Sequence, residues 1–284
     1  MDIQVNDDIN VRFTPKLELE PEQCLIYEKP SPHIDLVMRA VVGFPSHGKC
    51  GGACEPYLPY DALDRKYGND WPPFAFTMIG QQRLENFRAA ILDVNRNKID
   101  GSIVELGVWR GGALIMAAAV SKEAGVLRDI WVVDAFEDLP PETYGAAANY
   151  LHNTEAGVRA NFDAFNVNDP QRVHFLRGMF HITAPILSAV VGPIAVLRVD
   201  GNFYDSYQDV MYNLYEKVPV GGIVIFDDVF SHPSVLQFWL DFKQDQGLTE
   251  KFNRVDRHAG WFRKERAVLL DRTKVRPLGS HQLR

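Results

Sequence analysis

A doubly wound α/β fold is predicted by three features of this 284-residue chain. Short runs rich in Val, Ile and Leu alternate with helical segments from about residue 101 to residue 229. The runs lack polar alternation, as strands covered by helices on both faces must. Glycines or carboxylates follow the runs directly, where open α/β sheets bind their ligands.

The elements follow in order. Residues 1–60 carry turn-forming prolines and the stretch HGKCGGAC, with a single helix expected near 33–42. Residues 1–69 are therefore read as an extension that packs on the core or covers a site as a lid, and 70–284 as the main domain. In MIGQQRLENFRAAILDVNRN, Ile79, Leu84, Phe87, Ala90, Ile91 and Val94 recur at helical spacing. The strand candidates are GSIVELGV, DIWVVDAF, RVHFLRG, IAVLRVDG and GGIVIFDDV. Helices are expected at 112–123, 154–166, 181–191 and 205–217, and KFNRVDRH with GWFRKERAVLLD reads as a closing strand pair.

Composition narrows the function. The chain is 46% hydrophobic and carries a net charge of −7, so it can bury a core but offers no basic footprint for nucleic acid. No apolar run is long enough to span a bilayer, and the acidic start MDIQVNDDIN is unlike a signal peptide. Three cysteines make no disulfide framework. A cytoplasmic protein without a membrane or nucleic-acid partner is expected, and the aromatic-rich extension suggests a homodimer or higher homo-oligomer.

After the first run comes Glu105-Leu-Gly107-Val-Trp-Arg110-Gly111-Gly112. Its spacing differs from the Gly-x-Gly-x-x-Gly of dinucleotide sites, which favours a nucleoside with an amino-acid tail over a pyrophosphate. An ordinary strand-to-helix turn is the alternative. The second run ends in Asp134, placed to accept bonds from ribose hydroxyls or to cap a turn. Together these features point to an adenosine-type cofactor.

Asp200, Asp227 and Asp228 end the fourth and fifth runs. Three carboxylates converging in one cleft repel unless a cation neutralises them, and hard oxygen ligands suit Mg²⁺ or Ca²⁺ rather than zinc. Capping of helices or turns is the alternative for any one of them.

The strings DRKYGNDWPPFAFTMIGQQRLENF, VELGVWRGGA, WVVDAFEDLPP, FLRGMF, VLRVDGNFYDSYQDVMYNLYEKVPVGG and VIFDDV resemble the macrocin O-methyltransferase family over residues 64–228. The resemblance implies a Rossmann-like class I S-adenosylmethionine-dependent methyltransferase fold with an N-terminal extension. It implies Mg²⁺-dependent methylation of a small-molecule acceptor, a sugar hydroxyl on a glycosylated natural product. By the same resemblance Glu105, Gly107, Arg110, Asp134, Ala135 and Asp200 contact the cofactor. Met78, Ile79, Gly178 and Phe180 line its pocket, and Asp200, Asp227 and Asp228 hold Mg²⁺. Tyr204 and Ser206 take a supporting role.

One departure bears on catalysis. The family reads Asp-Gly-Asp, its second aspartate the expected base, whereas this chain reads Asp200-Gly201-Asn202. Asparagine takes no proton at neutral pH. The metal alone, His181 or His232 would then have to serve, or the protein is an inactive binder. The segment Asp134-Ala-Phe-Glu-Asp138 also departs from the family's Asp-Ser-Phe-Glu-Gly. Methyltransferase chemistry on a non-sugar acceptor is a further alternative. Cys50, Cys54 and His47 read as a Gly-rich loop with free thiols rather than a zinc site. Tyr57, Tyr60, Trp71, Phe74 and Phe76 suit a lid or a packing patch equally, and His258 and Trp261 read as packing residues.

Overall fold

A computed structural model describes residues 25–44, 49–50, 57–58, 61–137, 139–140, 142, 145 and 147–277. Seven strands form one sheet: β1 Ser102–Leu106, β2 Ile130–Asp134, β3 Val173–Arg177, β4 Ile194–Val199, β5 Ile223–Phe226, β6 Asn253–Arg254 and β7 Gly260–Arg263. Their order is β3-β2-β1-β4-β5-β7-β6. The first five are parallel, and β7 joins β5 antiparallel, as does β6 with β7. Order therefore reverses between β1 and β4, and a crevice is expected beyond their carboxyl ends.

Each face of the sheet is closed by its own apolar layer. In β5, Ile223 and Ile225 join one core and Val224 and Phe226 the other, the period of two expected of a strand. The first core takes α1 (Pro32–Val41), α3 (Gln81–Arg96), α4 (Gly112–Glu123) and α6 (Glu155–Ala164). The second takes α7 (Phe180–Val190), α8 (Tyr204–Leu214) and α9 (Pro233–Gln246). Two short helices meet the crevice, α2 (Ala62–Tyr67) through the Gly68 that ends it and α5 (Ala147–Leu151) through Ala147 and Leu151.

The expected elements are all present, with the 205–217 helix ending in a 3₁₀ turn at Tyr215–Lys217. Helices α2, α5 and α9 are additional to the expected set. The signs of α9 were available: Pro233 sits in its first turn, Gly247 ends it at φ 62°, and Val235, Phe238, Trp239 and Phe242 bury one face. Lys49–Cys50 and Tyr57–Leu58 form a small antiparallel ladder. The Cys50 and Cys54 thiols, His47, Tyr57 and Tyr60 lie outside the described side chains. Among the described residues, no helix is long and apolar enough to cross a membrane.

Candidate active site

At the switch point the ends of β1 and β4 come close enough that only glycine fits at 107. Gly107 has φ 89°, and a Cβ there would lie 2.0 Å from the Asp200 carbonyl oxygen. The loop continues through Trp109, whose φ of 49° costs a non-glycine residue roughly 1–2 kcal/mol. Its neighbours offset that cost. The amides of Val108 and Trp109 donate to Asp134 Oδ2 at 2.8 and 3.0 Å, and the indole N–H of Trp109 donates to the Tyr150 carbonyl. Asp134 Oδ1 accepts the Phe136 amide at 3.2 Å. Burial raises the Asp134 pKa, while these backbone donors oppose the rise.

One wall of the cleft is a strap, residues 71–80, laid across the start of α4. Gly112 N–H donates to Phe76 O at 2.8 Å, and a Cβ on Gly112 would lie 2.6 Å from that carbonyl. Arg110 donates to the Pro73 and Ala75 carbonyls, the Tyr150 hydroxyl to Pro72 O, and Arg65 to Met78 O and Ile79 O. The cleft so enclosed has a volume of about 700 Å³.

Asp200, Asp227 and Asp228 converge on its floor, each offering a ligand oxygen within 4.8 Å of the others. Two buried guanidiniums attend them. Arg198, which faces Glu105 in the parallel β1–β4 register, pairs with Glu105 and Asp227 and reaches Asp200 Oδ2 at 3.2 Å. Arg83, from α3, meets the other Asp227 oxygen at 2.5 Å and Asp256 at 3.1 Å. Burial and the charges of Asp227 and its neighbours hold Asp200 well above the usual carboxylate range. Burial opposes ionisation of Asp228 too, yet the His232 hydrogen bond and charge bring it below its ordinary value.

This donor set fits a hard divalent cation. Five carboxylates (Glu105, Asp200, Asp227, Asp228, Asp256) face two guanidiniums, and three of them offer oxygens within 4.8 Å of one another. The excess negative charge is what such an ion would neutralise.

The family model described as Macrocin-O-methyltransferase (TylF) matches residues 34–264. The chain belongs to the macrocin O-methyltransferase family. It is 37% identical over 214 residues to demethyldecarbamoylnovobiocin O-methyltransferase of Streptomyces niveus, covering 71% of this chain and 80% of the relative. A 4'-O-methyltransferase of Streptomyces olivaceus acting on 8-demethyl-8-(2,3-dimethoxy-alpha-L-rhamnosyl)-tetracenomycin-C is 35% identical over 210 residues, 69% of this chain and 78% of that one. The solved structure of the O-methyltransferase NovP matches with a TM-score of 0.75 at 33% identity, over 82% of this chain and 98% of that one. The enzyme is an S-adenosylmethionine-dependent O-methyltransferase.

The methyltransferase cleft brings together most residues singled out from sequence. Met78, Ile79, Glu105, Gly107, Asp134 and Ala135 line it, as do Phe180, Asp200, Asn202, Asp227 and Asp228. Gly178, expected in the lining, is outside it, and its amide donates to the Asp134 carbonyl. Arg110 turns away from the cleft to hold the strap and stacks on Trp109 at 4.1 Å. Trp71 lines the cleft, Phe74 is exposed, and Phe76 packs edge-on against Phe165. Trp261 is buried in the core, but His258 lines the cleft beside Asn69 rather than packing inside.

Arg83 and Arg198 escaped the sequence reading. Arg198 carried a signal: a charge inside IAVLRV, a strand buried throughout, must have partners. Arg83 carried none, because its partner Asp227 lies 144 residues away.

Proposed function

We propose that this methyltransferase acts on a hydroxyl of a sugar carried by a natural product, with Mg²⁺ held by Asp200, Asp227 and Asp228. The observation that carries this reading is the convergence of those three carboxylates in the cleft formed by the Gly107 loop and the strap. Relatives named for novobiocin, rhamnosyl-tetracenomycin and mycinamicin substrates support the acceptor class.

In this reading Glu105, Gly107, Asp134 and Ala135 seat the methyl donor, with Met78, Ile79 and Phe180 as its walls. Bound Mg²⁺ would orient the acceptor hydroxyl and lower its pKa. S-adenosylmethionine would supply the methyl group to the hydroxyl oxygen and leave as S-adenosylhomocysteine, and the hydroxyl proton would pass to water or a cleft base. Asn202 cannot hold that proton. His181 and His232 both face the cleft, and His232 is hydrogen-bonded to Asp228, which raises its pKa. Residues 61–69 contribute to the lid, with Gly68 in the lining, while α1 packs into the core.

An acceptor panel tests this. The enzyme is incubated with S-adenosylmethionine, Mg²⁺ and desmethyl glycosides beside their aglycones, and products are fragmented by mass spectrometry. One added methyl on the sugar fragment is expected. Methylation of aglycones only would overturn the sugar assignment, and no methylation of any acceptor would favour a protein that binds without turnover.

A further inference from the structure

Glu105 is an unusual group to leave half-paired. It is 1% exposed and reaches the cleft floor, yet its Oε2 has no hydrogen-bond partner among the described residues. Its Oε1 is taken by Arg198. The other terminal nitrogen of Arg198 is committed to Asp200 and Asp227. One rigid, planar guanidinium thus ties the carboxylate on the cofactor side to two on the cation side.

We infer that Arg198 is a positioning residue that couples the two binding events, so that cation and cofactor each tighten the other's binding. The inference rests on the function proposed above. The free Oε2 suits an ammonium donor, and the cofactor's amino-acid tail carries one. A cation on Asp200 and Asp227 relieves their demand on Arg198, whose fork then holds Glu105 firmly with Oε2 toward the tail. By linkage the same factor must appear in both titrations.

The test is calorimetry on the full chain with S-adenosylhomocysteine, which keeps the ammonium and lacks the sulfonium. Its affinity is measured in saturating Mg²⁺ and in chelator, and Mg²⁺ affinity with and without it. Mg²⁺ should tighten S-adenosylhomocysteine about tenfold, with the same factor in the reciprocal titration. 5'-Methylthioadenosine, which has no amino-acid tail, should respond to Mg²⁺ by less than about twofold. R198K keeps the charge without the fork and should lose the coupling. Should that buried change prevent folding, E105Q cuts the same link from the other end.

Equal S-adenosylhomocysteine affinities with and without Mg²⁺, or coupling that survives in E105Q, would overturn the inference while leaving the cofactor site intact. Failure of the wild-type chain to bind S-adenosylhomocysteine in either buffer would overturn the functional reading itself.

Discussion

Asn202 has φ 60°, a conformation that asparagine and aspartate tolerate better than other side chains. Asn202→Asp therefore restores a proton acceptor in the cleft without added backbone strain. The expected outcome is a methylation rate higher by roughly 10²-fold, read from initial rates with an accepted glycoside. An unchanged or lower rate would assign the base to another group. Glu105 permits a second prediction. Burial pushes its pKa from 4.5 up to about 7, against the pull of Arg198. A carboxyl raised in the folded state contributes stability that is full below pH 4.5 and is lost as pH rises through 7. Glu105→Gln should flatten the decline of Tm over that window. Parallel Tm curves for the two proteins would contradict the assignment.

The strap and α4 show how elements position the site. Since Gly112 touches the strap's backbone, Gly112→Ala should displace it, destabilise the fold by about 1–3 kcal/mol and speed amide exchange at Phe76–Met78. Unchanged exchange there would show that the strap is not seated on α4. Tyr150→Phe removes the bond to Pro72 O and leaves a buried carbonyl unpaired, costing about 1–3 kcal/mol by denaturant unfolding. Legibility also differs by element. The parallel strands were plain because both faces are buried and the runs stay apolar. Helix α9 was readable from Pro233, Gly247 and its apolar stripe. Helix α2 is short, and its cues, the Asp61 cap and Gly68 at φ 65°, stand beside a proline-rich stretch with no periodicity.

Over the whole molecule, what could be read from the chain was the carboxyl edge of the sheet. Asp134 ends its strand and Gly107, Asp200 and Asp227 lie immediately after theirs, so the topology alone gathers them at the switch point. What could not be read was the pairing across long separations: Arg83 with Asp227, Arg198 with Glu105, and the strap with α4. These contacts depend on which helix covers which strand end, which local pattern does not encode. They nevertheless determine how the carboxylates share their charge, and so whether a cation belongs among them. The most direct test of that claim is the rate of labelled-methyl transfer from S-adenosylmethionine to an accepted glycoside, after chelation and after Mg²⁺ is restored. A loss of roughly 10²-fold in chelator and full recovery with Mg²⁺ is expected. Equal rates in both conditions would mean that no cation belongs among these carboxylates.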